Sequence, residues 1–491
     1  MDLLQPIIKP YAWGSRDALA RLQGRDTPSA GPEAELWMGA HPSGPAGLTR
    51  DGRATTLLDA VAGDPDGELG GACAQTFGGR LPFLLKVLAA EQPLSIQVHP
   101  DRDQARSAFA AQQARGGHGP YADDWPKPEL LYALSRFEVL AGFRDREEAA
   151  HLLESLEVDG LRPVIGLLRA GTGEQALSEA LRALLERAPD DRAPLTSAVV
   201  ASSRRLARSA HPHAAAYAAV ERMSGHHPGD LGLVASLLLD HRVLEPGTAL
   251  FMPAGGLHAY VHGVGLELFA NSDNVLRAGL TTKEVNVPEL LRITDPAVRV
   301  PVVVPRSVPG PGSTCLYDCP VAEFALYRTE LDGSSGPLVP ASGPRIAFCA
   351  DGSARLSTRT GNTEPLRLGP GASCFLPASD QEVLVEGEGT LFVAAMGLFP
   401  EERGAIAQSL FFSAMTTLSH HRFPRRVHIL LRGFPGDRLE KGPHRCTPPW
   451  TSEGPKSRER WWTKGGPSST EPNSPHPRGS PPNAWHGRST P

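Results

Sequence analysis

The chain has 491 residues, 40% of them hydrophobic, and a formal net charge of −5 at pH 7. This length exceeds what a single core usually organises, so we expect two or three folded units. The acidic balance argues against nucleic acid as a partner, and no segment approaches the ~20 apolar residues that a membrane span requires. The N-terminus lacks a basic segment followed by an apolar run, and the six cysteines show neither disulfide nor zinc-finger spacing. These features predict a cytoplasmic protein with no membrane partner.

The first predicted unit, residues 1–144, is rich in β-structure. Its clearest pattern runs from Leu81 to Val98, where LPFLLKVLAA and LSIQVHP are apolar segments of strand length separated by a turn signal at Glu91-Gln92-Pro93. Short apolar segments bounded by turns are typical of buried strands. We therefore expect this unit to supply the first part of a β-barrel.

Residues 145–240 change to a helical pattern. The segments DREEAAHLLESL, EQALSEALRALLERA, LTSAVVASSRRLARSA and DLGLVASLLLDH combine good helix formers with a 3.6-residue apolar period and are separated by Gly, Pro or Asp. The pattern predicts a helical subdomain inserted into the β-structure.

Strand patterns return after residue 240 and contain an internal repeat. Leu244-x-Pro246-Gly247-x-x-x-Phe251-x-Pro253-Ala254 recurs as Leu368-x-Pro370-Gly371-x-x-x-Phe375-x-Pro377-Ala378. A Pro-Gly turn before a short strand is typical of small antiparallel barrels, although such turns can also coincide by chance. The repeat predicts two cupin-like double-stranded β-barrels: residues 241–299 complete the first, and residues 300–400 form the second.

The last segment, residues 401–491, differs in composition from the rest. Residues 419–491 hold 13 Lys and Arg against five Asp and Glu, 13 of the 47 prolines and four of the seven tryptophans. This composition predicts disorder from about residue 419. We interpret the tail as a translated shifted frame or a misplaced stop codon, so its removal should leave stability and turnover unchanged. A basic anion-binding tail is the alternative.

Four residues from distant stretches form a candidate metal-ligand set. Gln97 and His99 lie two positions apart on a predicted strand, so their side chains should project to the same face. Glu129 follows Pro128, which restricts the local backbone, and His258 follows the turn Pro253-Ala254-Gly255-Gly256. Two imidazoles, a carboxylate and an amide oxygen are a plausible zinc shell. Each signal alone is weak, because a strand QxH is more often a polar pair and KPEL an ordinary start of a helix.

These residues lie in segments that resemble the type I mannose-6-phosphate isomerases, zinc enzymes with paired cupin barrels and a helical insert. The resemblance covers roughly residues 5–400. In order, the matching segments are KPYAWG from Lys9, ELW from Glu35, PFLLKVL, LSIQVHPD, KPEL, PAGGLHAY and GLELFANSDNVLRAGLTTK. The resemblance implies one zinc ion held by Gln97, His99, Glu129 and His258.

The resemblance also implies roles for the surrounding residues. Arg277, Glu267 and Lys127 match catalytic or pocket positions. Lys86, Ser95 and Tyr260 match positions that line the substrate pocket. The implied reaction moves a proton between C1 and C2 of mannose 6-phosphate and fructose 6-phosphate through an enediol, and so needs a base and stabilisation of an oxyanion. Glu267, Lys127 and a metal-held water are all possible bases, and Lys86, Ser95 or Arg277 could hold the phosphate.

Two other functions compete with this one. An iron-dependent oxygenase or epimerase would be expected to use an open site of histidines and a carboxylate, whereas the amide ligand favours a redox-inert metal. A sugar-binding barrel without turnover would not require the three cations Lys86, Lys127 and Arg277. The second repeat ends Ala378-Ser379-Asp380-Gln381-Glu382 where the first ends in His258, so we expect the second barrel to lack a metal. We expect a monomer whose partner is a small sugar phosphate.

Overall fold

A computed structural model describes residues 1–359 and 364–397. These belong to a unit that spans Met1–Glu453, and a second unit, Gly454–Pro491, lies outside the described residues. The predicted extension over residues 401–491, with its predicted disorder from about residue 419, lies outside them as well. No helix in the described ranges is long and apolar enough to cross a membrane.

The first third of the chain alternates short strands with short helices that the apolar pattern did not predict. In chain order its elements are β1 (Asp2–Leu3), β2 (Ile7–Lys9), α1 (Ala18–Leu22), β3 (Glu35–Met38), β4 (Gly47–Arg50), β5 (Arg53–Thr56), α2 (Leu57–Gly63), α3 (Pro65–Leu69), α4 (Gly71–Phe77), β6 (Phe83–Ala90), β7 (Ile96–Val98), α5 (Arg102–Ala114), β8 (Glu129–Ala133) and β9 (Phe137–Phe143). Strands β6 and β7 coincide with the two predicted apolar segments.

The next segment is helical, as its period predicts. It contains α6 (Arg146–Ser155), α7 (Arg162–Ala170), α8 (Gln175–Leu185), α9 (Pro189–Ala207), α10 (Ala214–Ser224) and α11 (Gly232–Ala235), with single turns of 3-10 helix at Asp159–Leu161 and Ser236–Leu238. The helix predicted from DLGLVASLLLDH is wrong from Leu239 onward. Leu239 already pairs with Phe143 in the sheet, and this ladder overrides local helix propensity.

The remainder is again mostly strand. It contains β10 (Leu239–Leu244), β11 (Ala249–Met252), β12 (His258–Ala270), β13 (Leu276–Gly279), α12 (Val287–Ile293), β14 (Arg306–Ser307), β15 (Ser313–Tyr317), β16 (Ala325–Asp332), β17 (Gly336–Pro337), β18 (Arg345–Thr358), β19 (Leu366–Leu368), β20 (Ser373–Leu376) and β21 (Val383–Ala395). The prediction of a mainly β chain with a helical subdomain is confirmed.

Most of the strands form two large antiparallel sheets, and β4 and β5 form a separate two-stranded one. One has ten strands along the order β10-β9-β12-β6-β3-β2, with β7, β8, β11 and β13 attached to that path. The other has nine, along the order β1-β20-β18-β21-β16-β15-β14, with β17 and β19 attached. Strand β1 pairs with β20, so the first residues of the chain join the C-terminal sheet, which no sequence pattern predicted.

The sequence repeat occupies equivalent places in the two sheets. In each copy the Pro-Gly turn leads into a four-residue strand, β11 or β20, which precedes a 13-residue strand, β12 or β21. The first half of β12 pairs with β9 and the second half with β6 and β8, so this one strand serves both layers of the barrel. At the bend, Gly263 has φ +135°, and a Cβ there would lie 2.7 Å from the Phe137 ring. Glycine is therefore required at this corner.

The helical subdomain covers one face of the first sheet. Its apolar stripes, such as Leu177, Leu181 and Leu184 of α8, form a single core with side chains from β7, β12 and β13. The residues that these three strands contribute to the core are Ile96, Val98, Ala259, Val261, Leu276 and Ala278. Because side chains alternate along a strand, the residues between them must face the barrel interior.

Candidate metal centre

Strand alternation delivers polar side chains from three strands to the barrel interior. Ile96 and Val98 face the helices, so Gln97 between them and His99 beyond face inward. His258 and Tyr260 alternate in the same way on β12. Arg277 lies between Leu276 and Ala278 on β13 and is the direct cross-strand partner of Gln97. The helical packing therefore decides which face becomes the site.

Four of the predicted residues lie together at the base of this interior. His99 Nε2 is 3.3 Å from Glu129 Oε1, and His258 Nε2 is 3.1 Å from Glu129 Oε2. The Gln97 amide nitrogen is 3.3 Å from His258 Nε2, and a half-turn of this amide would present its oxygen instead. In the described part of the chain, His99, Glu129 and His258 are the one group of three or more histidine, cysteine or carboxylate side chains whose ligand atoms lie within 4.8 Å of one another.

Backbone carbonyls set the tautomer of both histidines. His99 Nδ1 lies 2.6 Å from the carbonyl oxygen of Asn274, and His258 Nδ1 lies 3.1 Å from that of Gly256. A carbonyl can only accept, so each Nδ1 must donate its proton to it. Each Nε2 is then left with a lone pair directed at Glu129. Metal-binding histidines are typically oriented by such outer hydrogen bonds.

The contacts around Glu129 fit a cation better than they fit hydrogen bonds. His99 Nε2 and Glu129 Oε2 are buried and have no hydrogen-bond partner among the described residues. Burial lowers the pKa of His99 to about 4, so the ring is neutral at pH 7. Burial opposes ionisation of Glu129, but nearby positive charge, including that of Lys127, outweighs it and holds the pKa of this carboxyl well below its usual range. Lone pairs thus face lone pairs, which a divalent cation between them would reconcile.

A chain of buried charges extends from this cluster. Lys127 Nζ lies 3.3 Å from Glu129 Oε1. Lys86 Nζ lies 2.8 Å from Glu35 Oε1 and 2.6 Å from Glu267 Oε2, and the Tyr260 hydroxyl donates to Glu267. All these side chains are less than a tenth exposed. The buried charge of Lys86 is therefore paired with carboxylates rather than left isolated.

The network perturbs the pKa values of Glu267, Lys86 and Tyr260. Burial raises the pKa of the Glu267 carboxyl, although Lys86 opposes this. Burial alone would lower the pKa of Lys86, but Glu267 and Glu35 outweigh it and raise that pKa. Burial and the Glu267 carboxylate raise the pKa of Tyr260 well above its usual value. Strongly perturbed groups gathered in one interior are typical of functional sites.

Arg277 and Ser95 differ from this paired set. Within the described ranges the Arg277 guanidinium has neither an ion pair nor a hydrogen bond, it is half-buried, and burial lowers its pKa. Ser95 is half-buried one residue before β7. An unpaired, partly desolvated cation beside a candidate metal ligand is suited to bind an anion.

Two contributors were missed from the sequence. Glu35 shares Lys86 with Glu267. The sequence places Glu35 in the family-like segment Glu35-Leu36-Trp37 but predicts no role for its carboxylate. Asn274 supplies the carbonyl that orients His99. It lies in the family-like segment GLELFANSDNVLRAGLTTK, but the sequence did not predict this role. Neither contact has a local signature, because each joins segments more than 50 residues apart.

Comparison with known proteins gives matches along most of the chain. Residues 1–146 match the family model for the phosphomannose isomerase type I catalytic domain, and residues 317–396 match that for the mannose-6-phosphate isomerase cupin domain. The mannose-6-phosphate isomerase of Escherichia coli K12 is 36% identical over 397 residues, covering 80% of this chain and 98% of the relative. The human enzyme is 33% identical over 400 residues, covering 76% and 92%.

Solved structures of phosphomannose isomerases match this chain as well. A mutant of phosphomannose isomerase from Salmonella typhimurium superposes with a TM-score of 0.73 at 33% identity, covering 81% of this chain and all of that one. A zinc-bound mannose 6-phosphate isomerase has a TM-score of 0.73 at 34% identity, covering 81% and 99%. The predicted resemblance and the predicted cupin architecture are confirmed, and the chain belongs to the type I phosphomannose isomerase family.

Proposed function

We propose that this chain is a zinc-dependent aldose-ketose isomerase that interconverts D-mannose 6-phosphate and D-fructose 6-phosphate. The observation that carries the proposal is the buried cluster of His99, Glu129 and His258, in which His99 Nε2 and Glu129 Oε2 have no hydrogen-bond partner among the described residues. Family membership supplies the reaction. The competing iron oxygenase and the non-catalytic sugar-binding barrel have no comparable support.

Gln97, His99, Glu129 and His258 would hold the zinc ion. Bound there, zinc supplies a Lewis acid that stabilises negative charge on a nearby oxygen. The chain's own contribution is to fix the ligands: the carbonyls of Asn274 and Gly256 hold both imidazoles with Nε2 inward. Burial excludes water and strengthens these electrostatic interactions.

The remaining steps fall to the groups around the cluster. Isomerisation removes a proton from one carbon and returns one to its neighbour, so a base must border the substrate. Glu267 and Lys127 are the candidate side chains, and the raised pKa of Glu267 suits a base that must also give its proton back. We propose that Arg277 binds an anionic oxygen of the substrate, because its charge is unpaired. Lys86, Ser95 and Tyr260 are proposed to line the same pocket.

A coupled assay tests the proposal directly. Formation of fructose 6-phosphate from mannose 6-phosphate is followed with and without chelator, on the wild type and on His258→Ala. We expect activity that the chelator abolishes and zinc restores, and none in the variant. His262→Ala is the matched control, because His262 lies on the same strand but is exposed. Turnover that survives chelation would contradict the zinc mechanism.

Location and assembly complete the proposal. We propose a cytoplasmic monomer that acts on a small sugar phosphate and binds neither nucleic acid nor membrane. Sedimentation of the purified protein tests the monomer.

A further inference from the structure

Asn274 lies in the segment between β12 and β13 and is 1% exposed. Its side-chain amide is saturated by one loop. Oδ1 accepts from the backbone N–H of Ala122 at 2.8 Å and of Asp123 at 3.3 Å. Nδ2 donates to the carbonyl oxygens of Asp123 at 2.9 Å and Trp125 at 2.8 Å, and to Asp123 Oδ1 at 3.1 Å. One buried amide thus binds residues 122–125 from both sides.

The main chain of the same residue holds a metal ligand. The Asn274 carbonyl accepts the Nδ1 proton of His99 at 2.6 Å. The loop that its side chain holds leads within two residues to Lys127 and within four to Glu129. Asn274 therefore lies between two ligands that come from separate parts of the sequence.

Neighbouring contacts strengthen the same junction. The Ser272 hydroxyl donates to Asp123 Oδ1 at 2.7 Å, and the backbone N–H of Asp273 donates to Asp123 Oδ2 at 2.9 Å. Asp123 Oδ1 also accepts from the backbone N–H of Trp125. Both oxygens of Asp123 thus accept, and the amide of Asn274 is the group that both donates to the loop and accepts from it.

We infer that Asn274 is a positioning residue for the metal centre: it couples the orientation of His99 to the placement of the loop that delivers Lys127 and Glu129. The inference rests on the proposed function, since it assumes that these ligands hold zinc. An amide is required, because an ionised aspartate at this position could accept from Ala122 and Asp123 but could donate to none of the three oxygens. It would also place a second negative charge against Asp123.

Zinc affinity, measured by competition with a chromogenic chelator, tests the inference without reference to turnover. We expect Asn274→Ala and Asn274→Asp to bind zinc about 10- to 100-fold more weakly than the wild type, the usual loss when the groups that orient a metal ligand are disturbed. Asn271→Ala is the matched control. Asn271 is an amide in the same segment, but it donates to the Leu81 carbonyl, away from the loop and from His99. Its zinc affinity should equal that of the wild type.

A second variant and a spectrum separate positioning from general damage. Asp123→Asn cuts the same junction from the loop side, because its new NH₂ group would face a donor, so it should reproduce the weakened binding even if Asn274→Ala fails to fold. Cobalt-substituted Asn274→Asp should show a changed d–d absorption, and its chelated form should unfold with the cooperativity of the chelated wild type. The inference alone would be overturned if the Asn274 and Asp123 variants bound zinc as tightly as the wild type and cobalt-substituted Asn274→Asp had the wild-type spectrum. It would also be overturned if Asn271→Ala lost as much zinc affinity as they do. A wild type that binds no zinc would overturn the proposed function and this inference with it.

Discussion

Replacing Arg277 by methionine should lower catalytic activity without lowering the stability of the fold. The guanidinium is half-buried and has no partner in the described ranges, and burial lowers its pKa, so the folded state disfavours the charge. Methionine keeps much of the apolar stem and removes the charge. The free energy of unfolding should therefore stay the same or rise in Arg277→Met.

The catalytic effect follows from Coulomb's law. A guanidinium about 4 Å from an anionic substrate oxygen, at an effective dielectric constant of about 20, contributes about 4 kcal/mol. At about 1.4 kcal/mol per factor of ten, loss of this interaction should lower kcat/KM about 1,000-fold. The kcat/KM of Arg277→Lys should lie between those of the wild type and Arg277→Met. Lysine keeps the positive charge but has one compact ammonium group in place of the planar guanidinium.

The assay measures fructose 6-phosphate formation over a range of substrate concentrations, together with urea unfolding of the same samples. Arg299→Met is the matched control, since Arg299 is exposed and pairs with Glu174 at the surface. If Arg277→Met retained kcat/KM within a few-fold of the wild type, or lost activity only in proportion to lost stability, the assignment of Arg277 as the anion-binding group would be wrong.

Three further predictions follow from the buried network. Zinc at 100 times its dissociation constant should stabilise the chelated wild type by about 2.7 kcal/mol in urea unfolding and should leave His258→Ala unaffected; equal stabilisation of both would place zinc elsewhere. Lys86→Met leaves Glu35 and Glu267 without their shared cation and should cost about 3–5 kcal/mol of unfolding free energy, whereas a neutral result would show that the pair is not buried in solution. Glu267→Gln should remove a pH dependence of stability. Because the folded pKa of Glu267 is raised above its ordinary 4.5, the stability it contributes is complete below that value and is lost as pH rises through the folded pKa, so the unfolding free energy of the chelated wild type should fall relative to the variant over that range.

The predictable part of the site consists of features that repeat locally. The two-residue period of β7 was enough to place Gln97 and His99 on one face, and the repeated Pro-Gly turns predicted two similar barrel units. The helical period likewise predicted most of the insert. Each of these depends on the order of residues within about ten positions, which the chain itself displays.

The tertiary structure decided how distant segments pair. It brought Glu35 to Lys86, the Asn274 carbonyl to His99, and β1 to the second sheet. It also turned the end of one predicted helix into β10, because pairing with β9 outweighed local propensity. Hydrogen bonds and ion pairs act over about 3 Å, so residues 50 to 370 positions apart can be matched only by the folded backbone, whereas the alternation of side chains is present in every short stretch.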